Sequence, residues 1–252
     1  MSVASLESRA AVEWSADARF AVYYAPSRDS AWWHAGCVWL GRDPENGNVL
    51  QTAQPVSLSR AVEDLTEAPR RYGWHGTLVA PFRLAANVTP RDLLDAARAW
   101  ARSRSRFTLP VEAARLGDFV ALRPENSGGD EQMRTLASDA LRTLNTFRAA
   151  PAPADLARRL AAPLTERQRA LLVEWGYPYV FDEFRFHMTL SSSLDSAAER
   201  DALAAHWHEE AARLGPLVVD GAALFVEPEP GAPFVLWQRL PFRGGTEQKE
   251  AR

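Results

Sequence analysis

Two of the five histidines in this 252-residue chain sit in near copies of one pentad. The first copy is Trp74-His75-Gly76-Thr77-Leu78, the second Phe186-His187-Met188-Thr189-Leu190. Each reads aromatic, His, small or apolar, Thr, Leu. One copy alone would pass for an ordinary half-buried strand. A matched pair among so few histidines is far outside what composition supplies. Successive side chains on a strand point to opposite faces. His75 and Thr77 therefore share a face, with Trp74 and Leu78 on the other. His187 and Thr189 share a face in the same way, opposite Phe186, Met188 and Leu190. Each strand thus has an apolar side for a core and a side bearing imidazole and hydroxyl. Two such strands facing each other make a cleft sized for one phosphate. The hydroxyls would hold non-bridging oxygens. A neutral imidazole would take a proton from water, and a protonated one would donate to the leaving oxygen. Histidine can do both near neutral pH.

No cofactor and no metal are expected. Neither motif has acidic neighbours at ligand spacing, and the single cysteine, Cys37, excludes zinc sites built on several thiolates. Cys37 lies in an apolar stretch and reads as a buried, inert thiol. His206 and His208 fall two apart on an expected helix and diverge by about 200°, so they cannot chelate one metal together. His34, on a Trp-rich helix, reads as a packing or surface residue. The 29 basic residues are 28 Arg and Lys249 alone, which sets aside Schiff-base and P-loop lysine chemistry. Coding bias accounts for such a skew, and arginine forks also suit phosphate and carboxylate. A net charge of −3 and a pI near 6.0 give no global basic field toward bulk nucleic acid. RNA is therefore the lesser candidate partner, and a small phosphorylated sugar or nucleotide the better one. No apolar run approaches the ~18 residues of a membrane span. Met1 to Trp14 lacks the pattern of a signal peptide. A cytoplasmic monomer without membrane association is expected.

Supporting residues follow from placement. Arg185 stands two before His187, so a regular strand would bring it to the cleft face, where it could complement a phosphate. Tyr72 precedes the first motif and could donate to a phosphate oxygen. Tyr23 lies opposite Phe20, Val22 and Tyr24 in sidedness and could face the cleft. Tyr177 and Tyr179, straddling Pro178, could form a lid or simply pack. Arg98, Arg102, Arg104 and Arg106 read as a solvated face.

The elements that must position these residues mix helix and strand irregularly. Strands are expected at Phe20–Tyr24, Trp74–Val79 (stopped by Pro81), Phe107–Val111, Phe119–Arg123, Phe184–Leu190, Leu217–Phe225 and Phe234–Leu240. Helices are expected from Ser30 to Leu40, Leu58 to Leu65, Pro90 to Ser103 behind a Thr89 cap, and Glu131 to Phe147. Further helices run from Ala154 to Leu160, Thr165 to Trp175 and Ser196 to Leu214. With no βαβ series and no glycine-rich nucleotide loop, the class is α+β with antiparallel sheets. Residues 1–17 read as a flexible leader, 18–242 as one domain and 243–252 as a flexible tail.

The paired His-x-Thr motifs resemble those of the two-histidine (2H) phosphoesterases, which include RNA cyclic phosphodiesterases and 2′-5′ RNA ligase-like proteins. Pro69 to Leu78, Pro81-Phe82-Arg83-Leu84, Leu164 to Gln168, Trp175 to Val180, Phe184 to Leu190 and Glu227-Pro228 look like the branch encoded among phosphonate-utilisation genes. The resemblance covers about Phe20 to Phe242. It implies two pseudo-symmetric lobes, each an antiparallel sheet with flanking helices, around a central cleft. It also implies metal-free hydrolysis of a small cyclic phosphodiester, with 5-phosphoribosyl 1,2-cyclic phosphate as the candidate. RNA ends with 2′,3′-cyclic phosphates or 2′-5′ linkages are the alternative substrates, and a non-catalytic phosphate sensor is the alternative role. The chain departs from the pattern at Ser191-Ser192-Ser193-Leu194, where Thr-Gly-Arg-Leu is expected, and at Gly76 and Trp74, where Ala and Phe are usual. The missing arginine bears on the substrate.

Overall fold

A computed structural model describes residues 14–244. The expected tail beyond Gly244 and the leader before Trp14 lie outside the described residues. Residues 14–17 of that leader are docked: Trp14 packs edge-on against Trp237 at 6.1 Å, Ser15 Oγ donates to Pro228 O, and Asp17 pairs with Arg83.

The chain begins with β1 (Arg19–Tyr24), α1 (Ala31–Leu40), the short α2 (Val62–Leu65) and α3 (Glu67–Arg70), then β2 (Gly76–Phe82). It continues through α4 (Pro90–Arg102), β3 (Phe107–Leu109), β4 (Val111–Leu116) and β5 (Phe119–Pro124) to the long α5 (Ser127–Leu144). After a 3₁₀ turn (Asn145–Phe147) come α6 (Pro153–Leu160), α7 (Glu166–Trp175), β6 (Met188–Thr189) and α8 (Ala197–Leu214). The chain closes with β7 (Leu217–Val219), β8 (Gly221–Glu227) and β9 (Val235–Pro241).

Caps written in the sequence start the helices. Ser30 Oγ accepts from Trp33 N at α1, and Thr89 with Asp92 closes a capping box behind Pro90 at α4. Thr165 with Gln168 does the same at α7. α5 starts four residues earlier than its apolar stripe indicates, because Asn126 accepts from Gly129 N and caps a glycine-bearing first turn.

Seven strands form one antiparallel sheet in the order β4-β5-β6-β2-β1-β8-β9, and β3 with β7 forms a separate two-stranded ribbon. The class is α+β with flanking helices, as expected. The two motif halves, however, share this single sheet instead of bringing one each. Three further expectations need correction. β2 runs through Pro81 to Phe82. The β1–β2 register slips between Phe20↔Phe82 and Val22↔Val79, so the residue without an N–H sits where the ladder is already irregular. Nothing in the sequence pattern predicts β4, since Val-Glu-Ala-Ala-Arg-Leu lacks alternation; it pairs with β5 across the Gly117-Asp118 turn. The stretch Leu217–Phe225 divides at Asp220, so β7 and β8 serve different sheets.

The apolar side of the motif strands forms the core beneath the site. Trp74 stacks on Trp207 of α8 with centroids 5.5 Å apart. α1 crosses so closely that a Cβ at Gly36 would lie 2.0 Å from the Trp74 ring. Trp39 Nε1 of α1 donates to Leu190 O at 2.8 Å, tying the helix to the end of the second motif. Cys37 is buried there, and burial pushes its thiol up, in keeping with inertness. No helix among the described residues is long and apolar enough to cross a membrane.

Candidate active site

β2 and β6 are direct neighbours, with Gly76 opposite Met188. Continuing that antiparallel register by one residue each way sets His75 against Thr189 and Thr77 against His187. Opposed residues share a face with Cβ atoms ~4.5–5.5 Å apart. The four side chains thus form a square: His75 and Thr189 line one recess, His187 lines another, and Thr77 lines both. The strands lie side by side in one sheet, not facing each other across a gap, and the cleft lies above them.

The two rings are held alike. His75 Nδ1 lies 2.8 Å from Gly73 O, and His187 Nδ1 lies 2.9 Å from Arg185 O. A carbonyl only accepts, so each Nδ1 carries a hydrogen and each Nε2 is the ring atom left for other partners. His75 Nε2 is 3.4 Å from Thr77 Oγ1. Gly73 turns its carbonyl under the ring at φ 78°, a left-handed backbone that favours glycine. Gly76 is demanded by packing: a Cβ there would meet the Phe186 ring at 2.4 Å.

His75 is half-buried and stacks on Tyr23 at 3.9 Å and 29°. Burial lowers its pKa to about 4, the Gly73 bond opposes that, and the nearby His187 charge lowers it further. Tyr23 itself is 1% exposed, and burial raises its phenol well above the usual value. Tyr72 lies with its ring 6.0 Å from His75 and stacks on Phe234. Behind them the fully buried Glu227 carboxylate accepts from Arg19, Arg71 and the Gly231 N–H. Burial alone would raise Glu227, but the Arg19 and Gly231 hydrogen bonds hold it below the ordinary range.

Two adjoining recesses open over the square. One, of about 320 Å³, is lined by His75, Thr77, Thr189, Tyr23 and Tyr72 together with Arg19, Arg148 and Arg159. The other, of about 260 Å³, is lined by His187, Thr77, Arg185 and Glu183. They share Thr77, Ala80, Arg148 and Tyr177. Larger hollows lie elsewhere, about 540 Å³ beside Ser27 and Arg239 and about 840 Å³ beside Arg102 and Arg243. Neither is lined by a motif residue, and the paired motifs weigh more than volume. Among the described residues no group of three or more His, Cys, Asp or Glu side chains is placed to hold a metal ion.

A family model described as "Protein of unknown function (DUF1045)" matches residues 77–235. The chain belongs to this family. Two curated relatives are similar to this DUF1045 chain over most of its length. A "Ribose 1,5-bisphosphate phosphokinase PhnN" of Janthinobacterium sp. (strain Marseille) is 39% identical over 238 residues, 91% of this chain and 52% of the relative. A protein of the same name from Laribacter hongkongensis (strain HLHK9) is 42% identical, over 86% of this chain and 50% of the relative. The chain spans about half the length of these relatives. Among solved structures, a crystal structure named as a phosphoesterase aligns with TM-score 0.37 at 12% identity, over 89% of this chain and 98% of that one. A conserved protein of unknown function from Agrobacterium tumefaciens str. C58 aligns with TM-score 0.40 at 15% identity, over 90% and 91%.

The DUF1045 fold brings His75, Thr77, His187, Thr189, Tyr23 and Tyr72 to one place. Arg185 lines the recess of His187 as well, but not because of strand sidedness. Regular pairing in β6 begins at Met188, so the strand argument for its sidedness does not hold. Its Nη1 donates to Asp182 O and Phe184 O, and its own carbonyl serves His187. Ser191 and Ser192, in the departing segment, accept from Val120 N and Ala68 N and so tie backbone together. Ser193, where the pattern has arginine, is exposed and lines neither recess. Tyr177 lines both recesses and Tyr179 one. His34 and His206 border a separate hollow. Sequence reasoning missed Arg19, Arg148 and Arg159, which nothing local sets apart among 28 arginines.

Proposed function

We propose that this chain is a metal-independent phosphodiesterase of the 2H type that opens a small cyclic phosphodiester by acid–base catalysis between His75 and His187. The observation that supports this reading is the pairing of Gly76 with Met188 between the two motifs, with His75, Thr77, Thr189 and His187 lining two adjoining recesses. His75 is neutral at working pH and acts as the base: its Nε2 takes a proton from water. The water oxygen bonds to phosphorus, one ring P–O bond breaks, and His187 gives a proton to the departing oxygen. Thr77 and Thr189 donate to the non-bridging oxygens. The acid, the base and the phosphate ligands are all side chains.

The candidate substrate is 5-phosphoribosyl 1,2-cyclic phosphate. Hydrolysis at the O2 side leaves the phosphoryl group on O1 and yields ribose 1,5-bisphosphate, the compound named for both curated relatives. We assign the phosphokinase activity of those proteins to the half this chain does not span. Here the only lysine is Lys249, and no glycine-rich P-loop spacing precedes it. A recess of about 320 Å³ suits a sugar phosphate rather than an RNA chain.

The test is phosphorus NMR of 5-phosphoribosyl 1,2-cyclic phosphate incubated with protein in EDTA. The cyclic resonance should give way to one new monoester resonance beside that of the 5-phosphate. No turnover of this or any nucleoside 2′,3′-cyclic phosphate, or turnover that needs added zinc or manganese, overturns the reading.

A further inference from the structure

The recess around His75 holds more positive charge than a cyclic diester requires. A cyclic phosphodiester carries a single negative charge. Arg19, Arg148 and Arg159 all line the recess, and no Asp or Glu does. Arg19 is matched by the buried Glu227. The other two bond only to neutral groups among the described residues. Arg148 donates through Nη1 to Asn145 Oδ1 at 2.9 Å and through Nη2 to Trp175 O at 2.8 Å. Its Nε is buried with no partner among the described residues. Arg159 donates through Nη1 to Gly176 O at 2.8 Å. Trp175 and Gly176 are consecutive, so the end of α7 draws both guanidiniums to one point.

Two like charges gathered in a half-buried place repel. Burial already lowers Arg148 to about 10. An anion with several oxygens would complete this arrangement, since a guanidinium fork matches phosphate geometry. Arg148 also lines the second recess, beside Thr77 and His187. An anion held there is within the span of a single small sugar whose cyclic phosphate sits over the square.

We propose that Arg148 and Arg159 form the receptor for a second, non-reacting phosphate monoester, so that the preferred substrate is a sugar cyclic phosphate that carries one. This rests on the reading of the His–Thr square as the hydrolytic site. A monoester brings about −1.5 to −2 charges at pH 7, which matches two guanidiniums. A substrate without it leaves both arginines unmatched and is rejected for that reason.

The experiment compares kcat/KM for 5-phosphoribosyl 1,2-cyclic phosphate and for ribose 1,2-cyclic phosphate, with wild type, Arg148→Gln, Arg148→Lys and Arg159→Gln. Wild type should prefer the phosphorylated sugar by roughly 10²-fold or more. Each Gln variant should cut that preference at least tenfold, mainly through KM on the phosphorylated sugar, and Arg148→Lys should restore part of it. A wild-type preference below about threefold, or equal losses on both substrates, overturns the proposal. Arg148 also ties Asn145 to Trp175, so Arg159→Gln, which removes one backbone bond, serves if Arg148→Gln does not fold. Calorimetric binding of ribose 5-phosphate separates this inference from the hydrolytic reading. If no cyclic phosphate turns over, that reading fails, yet binding weakened tenfold or more in Arg159→Gln still supports the receptor. Equal binding by wild type and Arg159→Gln overturns it.

Discussion

The two His-x-Thr segments have the same residues and the same bond from Nδ1 to the carbonyl two residues before, yet different surroundings. His75 lies against the Tyr23 ring at 3.9 Å and leads into a seven-residue strand paired on both sides. His187 leads into a two-residue strand, has Phe119 at 5.9 Å, and shares its recess with an exposed arginine. The motif sets which atom of each ring is left for other partners. The neighbours set the proton. Contrasting environments around two titratable groups are how one site runs both acid and base steps. On this ground the proposed base is His75 and the proposed donor His187.

Removing either ring strains this comparison most. His75→Ala and His187→Ala should each lower kcat by roughly 10²–10⁴-fold. The double variant should lose far less than the product, because two groups serving one transfer act as a unit. Losses that multiply in the double variant would show that the rings work separately.

The threonines come next. Thr77→Val and Thr189→Val should each cost about 1–3 kcal/mol in kcat/KM, one hydrogen bond to a charged oxygen. Thr77 borders both recesses and Thr189 one, so the Thr77 loss should be the larger. A reversed order would place the phosphate over the other half of the square.

The finest test shifts the surroundings alone. A base must be neutral, so with His75 lowered to about 4 the wild-type kcat/KM should hold as pH falls and drop only near pH 4. Tyr23→Leu lets water reach the ring, and the drop should begin roughly one unit higher, toward the free-histidine value of about 6.5. Stability gives a second readout with the sign fixed by linkage. Between about 6.5 and 4 the unfolded chain binds the His75 proton and the folded one does not, so wild-type stability falls as pH drops through that window. In Tyr23→Leu the slope should flatten. An unmoved acid limb with an unchanged slope would separate the ring neighbour from the proton.

What could be read in the sequence was what local chemistry fixes. The pentads, the shared face of His75 and Thr77, and the caps at Thr89 and Thr165 depend on residues a few positions apart. What could not be read depends on partners. β4 has no alternation of its own and exists because β5 pairs with it. Arg185 was placed by assuming a ladder that starts only at Met188. Gly76 looked like a departure from a pattern, and its reason is the Phe186 ring from the neighbouring strand. Arg148 and Arg159 resemble every other arginine until the fold brings both to the recess of His75.

The narrowness of β6 bears on the site. On one side of it stand β4 and β5, joined along six residue pairs from Val111↔Pro124 to Leu116↔Phe119. On the other stand β2, β1, β8 and β9. Between these two plates the ladder has one residue pair toward β2, Gly76↔Met188, and two toward β5, Ala121↔Thr189 and Leu122↔Met188, with Leu190 N and Ser191 N also donating to Val120 O. The two motif histidines therefore flank the line where the sheet has its fewest paired residues, and the proposed phosphate would span that line.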